Sequence, residues 1–107
     1  MERFEIGMLA VSKAGHDKDM LYVIIGIDKE YVYLVNGKNH TLNAPKKKNR
    51  KHIQIIKYVD EQLKSRLIEN NNIQNEDIKR VIKLFCLKNS KWGYSHINKI
   101  MYRYDLV

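Results

Sequence analysis

The chain has 107 residues, 44% hydrophobic and 30% charged, and its 20 Lys and Arg against 12 Asp and Glu give a formal net charge of +8. That size suits one domain, or one small barrel with a helical appendage. No apolar run reaches the roughly 18 residues of a membrane span, and the single Cys86 excludes an internal disulfide and a multi-cysteine zinc site.

In chain order, Gly7 to Lys13 is the first predicted strand, ending in the polar turn Lys13-Ala14-Gly15-His16-Asp17-Lys18-Asp19. Met20 to Ile27 is the second, with Leu21, Val23, Ile25 and Ile27 at period two and Tyr22 and Ile24 opposite. Both faces are apolar enough for a closed barrel. Gly15 suits a turn position of positive φ, or one where a ligand backbone approaches closely. Tyr31 to Val35 is a third strand, rich in β-branched and aromatic residues. Asn36-Gly37 is a type I′ hairpin signal, so His40 to Asn43 is expected as the fourth strand, which Pro45 terminates. Ile53 to Lys57 supplies the fifth. Five short strands at this spacing suit a small SH3-like or Greek-key barrel.

Helical patterning follows. Asp60 is placed to cap a helix over Glu61 to Glu69, with Leu63, Leu67 and Val59 inward. After Asn70-Asn71-Asn72, Asn75 is a second cap, with Glu76 and Asp77 complementing the helix dipole. Ile78, Val81, Ile82 and Phe85 fall at i, i+3, i+4 and i+7, an amphipathic helix ending near Lys88-Asn89. Cys86 lies in an apolar stretch and is expected to be a buried thiol. The tail from Lys91 to Tyr104 interleaves Trp92, Tyr94, Tyr102 and Tyr104 with Lys91, Lys99 and Arg103, a pairing suited to RNA bases and phosphates. Its Ile97, Ile100, Met101 and Tyr104 equally fit a core-facing helix. The expected division is residues 1–58 as barrel and 59–107 as a helical extension with an aromatic and basic tail.

The clustered positive charge lies in Lys46-Lys47-Lys48-Asn49-Arg50-Lys51-His52, expected to be a basic loop between the fourth and fifth strands. In a small barrel that loop projects beside the first turn and unites Lys13 and Lys18 with the run on one face. Lys and Arg there neutralise phosphates, while Asn49 and backbone N–H groups add hydrogen bonds.

Gly7-Met8-Leu9-Ala10-Val11-Ser12-Lys13-Ala14-Gly15-His16-Asp17-Lys18-Asp19, followed by Tyr22-Val23-Ile24-Ile25, resembles the KOW motif of the ribosomal protein L-fourteen-e family and its small bacterial relatives. The resemblance runs over residues 5 to 58 and takes in Pro45-Lys46-Lys47-Lys48. It implies an SH3-like KOW barrel, binding to ribosomal or otherwise structured RNA, and association with ribosomal proteins. Where many relatives carry Arg and Gly this chain has His16 and Asp19, which shifts the burden of phosphate binding toward the downstream lysines. The RNA-binding set is accordingly Lys13, Gly15, His16, Lys18, Lys46, Lys47, Lys48, Asn49, Arg50, Lys51 and His52. A protein-interaction adaptor in a ribosomal or transcription complex is the alternative.

Enzymatic signatures are missing from the sequence. The four histidines are scattered without His-Glu-x-x-His spacing, and there is no phosphate-binding Gly-x-x-x-x-Gly-Lys loop or Gly-x-Ser-x-Gly elbow. His16, Asp17 and Asp19 are expected as solvated side chains of a charged turn rather than a metal patch. Neither cofactor nor metal is expected. The amino terminus, Met1-Glu2-Arg3-Phe4-Glu5, has no apolar signal core, which favours the cytosol.

Overall fold

The computed structural model describes residues 3–69 and 72–88. Five strands, β1 (Met8–Ser12), β2 (Leu21–Ile27), β3 (Tyr31–Val35), β4 (Lys46–Asn49) and β5 (Ile53–Val59), precede helices α1 (Glu61–Ile68) and α2 (Asn75–Lys88). A single 3₁₀ turn, Arg50–His52, joins β4 to β5. The fold is α+β. The strands form one antiparallel sheet in the order β4-β3-β2-β1-β5. β4 and β5 are its edges, so the sheet is not closed into a barrel.

The period-two pattern of the strands separates two cores. Leu9 stands opposite Val23, and Val23 opposite Val35, so these side chains form a row across one face. With Leu21 they are buried against Leu63 of α1 and Ile78, Val81, Ile82, Phe85 and Cys86 of α2. On the other face Met8, Ala10, Met20, Tyr22, Ile24, Val32, Leu34, Ile53 and Ile55 pack on one another. Register shifts between Met8 and Leu9 and between Ile24 and Gly26 mark bulges. Bulges bend a strand and raise its twist, which lets this face pack on itself without a covering layer. Both faces of β1 and β2 are therefore apolar for separate reasons, one of them being the helices. The helix-facing cluster crosses the 58/59 boundary taken from the change in composition.

The helices start and pack as their sequences require. Asp60 caps α1, its Oδ1 accepting from Leu63 N at 3.0 Å. Ile78, Val81, Ile82, Phe85 and Cys86 are all buried, and burial pushes the Cys86 thiol up to about 11. Asn75 differs from expectation. It is the first residue of α2, and its Oδ1 accepts from Leu42 N at 2.9 Å, tying the helix to the β3–β4 connection. Gln74 N instead donates to Asp77 Oδ2 at 2.9 Å, while Asp77 Oδ1 and Oδ2 face Arg80 and Arg66.

The fourth strand is the main departure. His40 to Asn43 lies in turns and bends, and the strand is Lys46–Asn49, directly after Pro45. Asn36-Gly37 makes no type I′ turn, because Asn36 is not at positive φ. Its side chain organises the loop instead: Oδ1 accepts from both Lys38 N and His40 N at 3.0 Å. Gly37, at φ +81°, is where α2 docks, since a Cβ there would lie 2.6 Å from Asn75 O. Pairing was thus decided by the loop's own hydrogen bonds and by the helix, neither of which is local to the Asn-Gly dipeptide. The residues of the aromatic and basic tail, 91 to 104, lie outside the described residues. Among the described residues no helix is long and apolar enough to cross a membrane.

Candidate nucleic-acid interface

The 13–19 turn is closed by its own backbone, with Asp19 N donating to Ser12 O at 2.8 Å and Met20 N to Asp17 O at 2.9 Å. Gly15 sits at φ +90° and Asp19 at φ +73°, so this compact turn uses left-handed backbone at both residues. Gly15 therefore has the conformation expected of it.

Asp17 is not a solvated turn residue. Its side chain is 11% exposed, and Oδ1 accepts from Ser12 Oγ at 2.9 Å and Lys48 Nζ at 2.6 Å. Oδ2 accepts from Tyr22 OH at 2.6 Å and faces Lys46 Nζ at 3.0 Å. Burial acts to raise the Asp17 pKa, but Lys48, Tyr22, Lys46 and Ser12 outweigh it and hold the carboxyl well below the usual range. Lys48 Nζ also donates to Ala14 O at 2.7 Å. The turn is thereby tied to β4 by charge-assisted hydrogen bonds.

The basic segment is consequently not a loop. Along β4 the side chains alternate, so Lys46 and Lys48 face the turn and Lys47 faces away, with its Nζ 4.3 Å from the Tyr31 ring centroid. Arg50 Nη1 donates to Asp28 O at 3.2 Å and Lys29 O at 3.0 Å, and its guanidinium lies 4.6 Å from the Phe4 ring centroid. Asn49 Oδ1 accepts from Lys51 N at 2.9 Å and caps the 3₁₀ turn. Lys51 and His52 are exposed. Lys13 N donates to His52 O at 2.8 Å, which sets the exposed Lys13 beside the Lys51-His52 pair, with exposed His16 and Lys18 on the adjoining turn. The first turn and the basic segment do meet. What joins them is Asp17, and the solvent-facing cations there are Lys13, Lys18 and Lys51 rather than the whole run.

Beside this rim lies a cavity of about 210 Å³, between His16 and Asp17 of the turn and Asn36, Asn39 and His40 of the β3–β4 connection. Tyr22, Met20 and Lys46 complete its wall. His40 is held below its ordinary pKa by burial and by Lys46, with Asp17 opposing, so at neutral pH it is uncharged. Sequence reasoning gave Asp17, Asn36 and His40 turn or strand positions and no part in the site. A carboxylate among lysines signals an ion pair only once β4 is known to lie against the turn. Among the described residues no cluster of His, Cys, Asp and Glu is placed to hold a metal ion.

In comparison with known proteins, no family model matches the chain and no curated protein matches it.

Proposed function

We propose that the chain is an RNA-binding module of the KOW type, with an SH3-like barrel left open between β4 and β5 that grips structured RNA, such as ribosomal RNA, through the rim of Lys13, Lys18, Lys51 and His52. One observation carries this reading: Asp17 with Lys46 and Lys48 locks the turn against β4, and the exposed lysines stand on that fixed scaffold. A backbone already fixed beneath these cations lowers the ordering cost of meeting phosphate. The net charge of +8 supplies the long-range attraction. For the barrel, support comes from the strand order, with β5 on β1 and β4 on β3, the 3₁₀ turn between β4 and β5, and a face that packs on itself. The module acts in the cytosol by binding, without catalysis.

The test is salt dependence. Three phosphate contacts contribute about −2.7 to the logarithmic salt slope, taking the duplex-DNA coefficient of roughly 0.9 per contact for structured RNA. Replacing Lys13, Lys18 and Lys51 together by Gln is expected to flatten the slope by about that amount, equivalent to roughly 40-fold in affinity over a fourfold rise in salt. Titration of both proteins with a structured ribosomal RNA fragment measures it, and parallel slopes refute the assignment. The adaptor reading draws on Ile68, 62% exposed, and Leu87, 52% exposed, on the two helices. It requires partner binding that salt barely weakens.

A further inference from the structure

Two tyrosines of β3 belong to neither core. Tyr31 and Tyr33 are half-buried, so each keeps accessible surface, and neither packs into the helix-facing cluster or the cluster on the opposite face. Period two sets both on the face of Val35, beyond the row that the helices cover. Tyr22 shows the contrast: it is fully buried, with its hydroxyl on Asp17.

Tyr33 has a prepared seat. It stands opposite Gly26 of β2, where an added Cβ would lie 3.1 Å from Tyr33 Cδ2 and 3.5 Å from its Cγ. Gly26 is not at positive φ, so the backbone there does not require glycine; the approach of the ring does. The ring is thus set down against β2, and its accessible surface lies on the side away from Gly26. On the other flank Lys47 stands opposite Tyr33 in the β3–β4 register, exposed, with its Nζ 4.3 Å from the Tyr31 ring centroid. Tyr31 pairs with Asn49, which caps the turn that carries Lys51. The two rings therefore adjoin the rim at one end of β4, on the side of the strand away from Lys46 and Lys48.

Flat rings beside an exposed cation match a nucleotide, whose base has a π-face to stack and whose phosphate has a charge to neutralise. An apolar protein surface would leave Lys47 without a counter-charge, and the interior of a duplex offers no free base face. We propose that Tyr31 and Tyr33 stack one unpaired base of a single strand leaving the structured RNA, with Lys47 on the attached phosphate. This site rests on the RNA-binding reading and deepens it, because the rim alone would hold only phosphates. Stacking of this kind accepts any base.

The experiment uses one RNA hairpin in two forms, blunt and with a short single-stranded extension, titrated by fluorescence anisotropy over a range of salt. The wild-type protein is expected to bind the extended form roughly 5- to 150-fold more tightly, the scale of one base–aromatic stack. Tyr31→Leu with Tyr33→Leu keeps apolar bulk but no flat face. That pair is expected to abolish the gain and to leave the affinity and salt slope of the blunt form unchanged, whereas Tyr31→Phe with Tyr33→Phe retains the gain. Should the Leu protein fail to fold, the exposed change Lys47→Gln is expected to flatten the slope of the extended form alone by about 0.7, the single-strand coefficient for one contact. Equal binding of both forms by the wild type, a gain that survives the Leu pair, or an unaltered Lys47→Gln slope overturns the stacking site, assigns the tyrosines to a protein partner and leaves the rim standing. Absence of salt-sensitive binding to either form overturns both.

Discussion

The two faces of the sheet are buried by different means. On one, Leu9, Leu21, Val23 and Val35 are covered by α1 and α2, a purely apolar contact. On the other, Tyr22, Ile24, Val32 and Leu34 pack among the strands themselves, and Asp17, Lys46 and Lys48 bond together beside Tyr22. Apolar packing tolerates many sequences of similar volume, whereas a charge cluster demands every partner at once. The helical face is thus a source of stability. The charged edge of the other face fixes the geometry of the rim.

Removing the helices tests the first face most severely. A chain ending at Val59 exposes Leu9, Leu21, Val23 and Val35, at on the order of 1.5–3 kcal/mol of lost burial for each large side chain. That sum is comparable to the entire stability of a small domain, about 5–15 kcal/mol. The expected outcome is a chain without a cooperative thermal transition by calorimetry. A sharp transition and β-rich circular dichroism would show that the strands fold alone and that the helices are an appendage.

The second face is tested by Asp17→Ala, which leaves Lys48, whose side chain is 10% exposed, without its counter-charge. Breaking such a pair costs about 3–5 kcal/mol, and chemical denaturation measures it. Acid makes the same test on the intact protein. Because the folded Asp17 pKa lies below its unfolded value, its contribution is complete above about pH 4 and is lost as pH falls through the folded pKa. Wild type is therefore expected to lose more stability between pH 5 and strongly acidic solution than Asp17→Asn does. Equal losses would mean that the ion pairs contribute nothing net.

How far the sequence foretold this arrangement depends on the range of the interactions involved. β1, β2, β3 and β5 follow from period, α1 from its Asp60 cap and α2 from its helical spacing, signals within a few residues of one another, and Ile78, Val81, Ile82 and Phe85 are buried as that spacing requires. β4 was not legible, because three successive lysines have no hydrophobic alternation. Their alternation is one of partners, Asp17 on one side and Tyr31 on the other, and those partners lie 31 and 16 positions away in the chain. Gly15 was legible as a turn glycine. Asn36 was read as half of a hairpin turn, when its burial and its two backbone bonds depend on a loop shaped by α2.

Gly37 sharpens the comparison from the helical side. At φ +81°, with a Cβ position 2.6 Å from Asn75 O and 2.9 Å from Lys79 Cγ, it allows the first turn of α2 to lie on the β3–β4 connection. Gly37→Ala is expected to cost about 1–3 kcal/mol from backbone strain together with displacement of the helix start. Hydrogen exchange is expected to quicken at Leu42 N, which bonds to Asn75 Oδ1, and to leave the β1–β2 pairing protected. Unchanged protection at Leu42 would remove Gly37 from the docking of α2.

The smallest expected effect separates neighbouring lysines of one strand. Lys47 is exposed and lies over Tyr31, a surface cation–π contact of roughly 0.5–1 kcal/mol. Lys48 bonds to Asp17 and Ala14 O in a half-buried site, where losing a charge-assisted hydrogen bond costs about 1.5–3 kcal/mol. Lys48→Gln is accordingly expected to lower the urea midpoint clearly, and Lys47→Gln to move it little, although each removes one positive charge. If net charge governed the folded state, the two substitutions would shift the midpoint alike. If period-two geometry governs it, only the lysine facing the turn matters for stability, and Lys47→Gln leaves the rim intact for binding measurements.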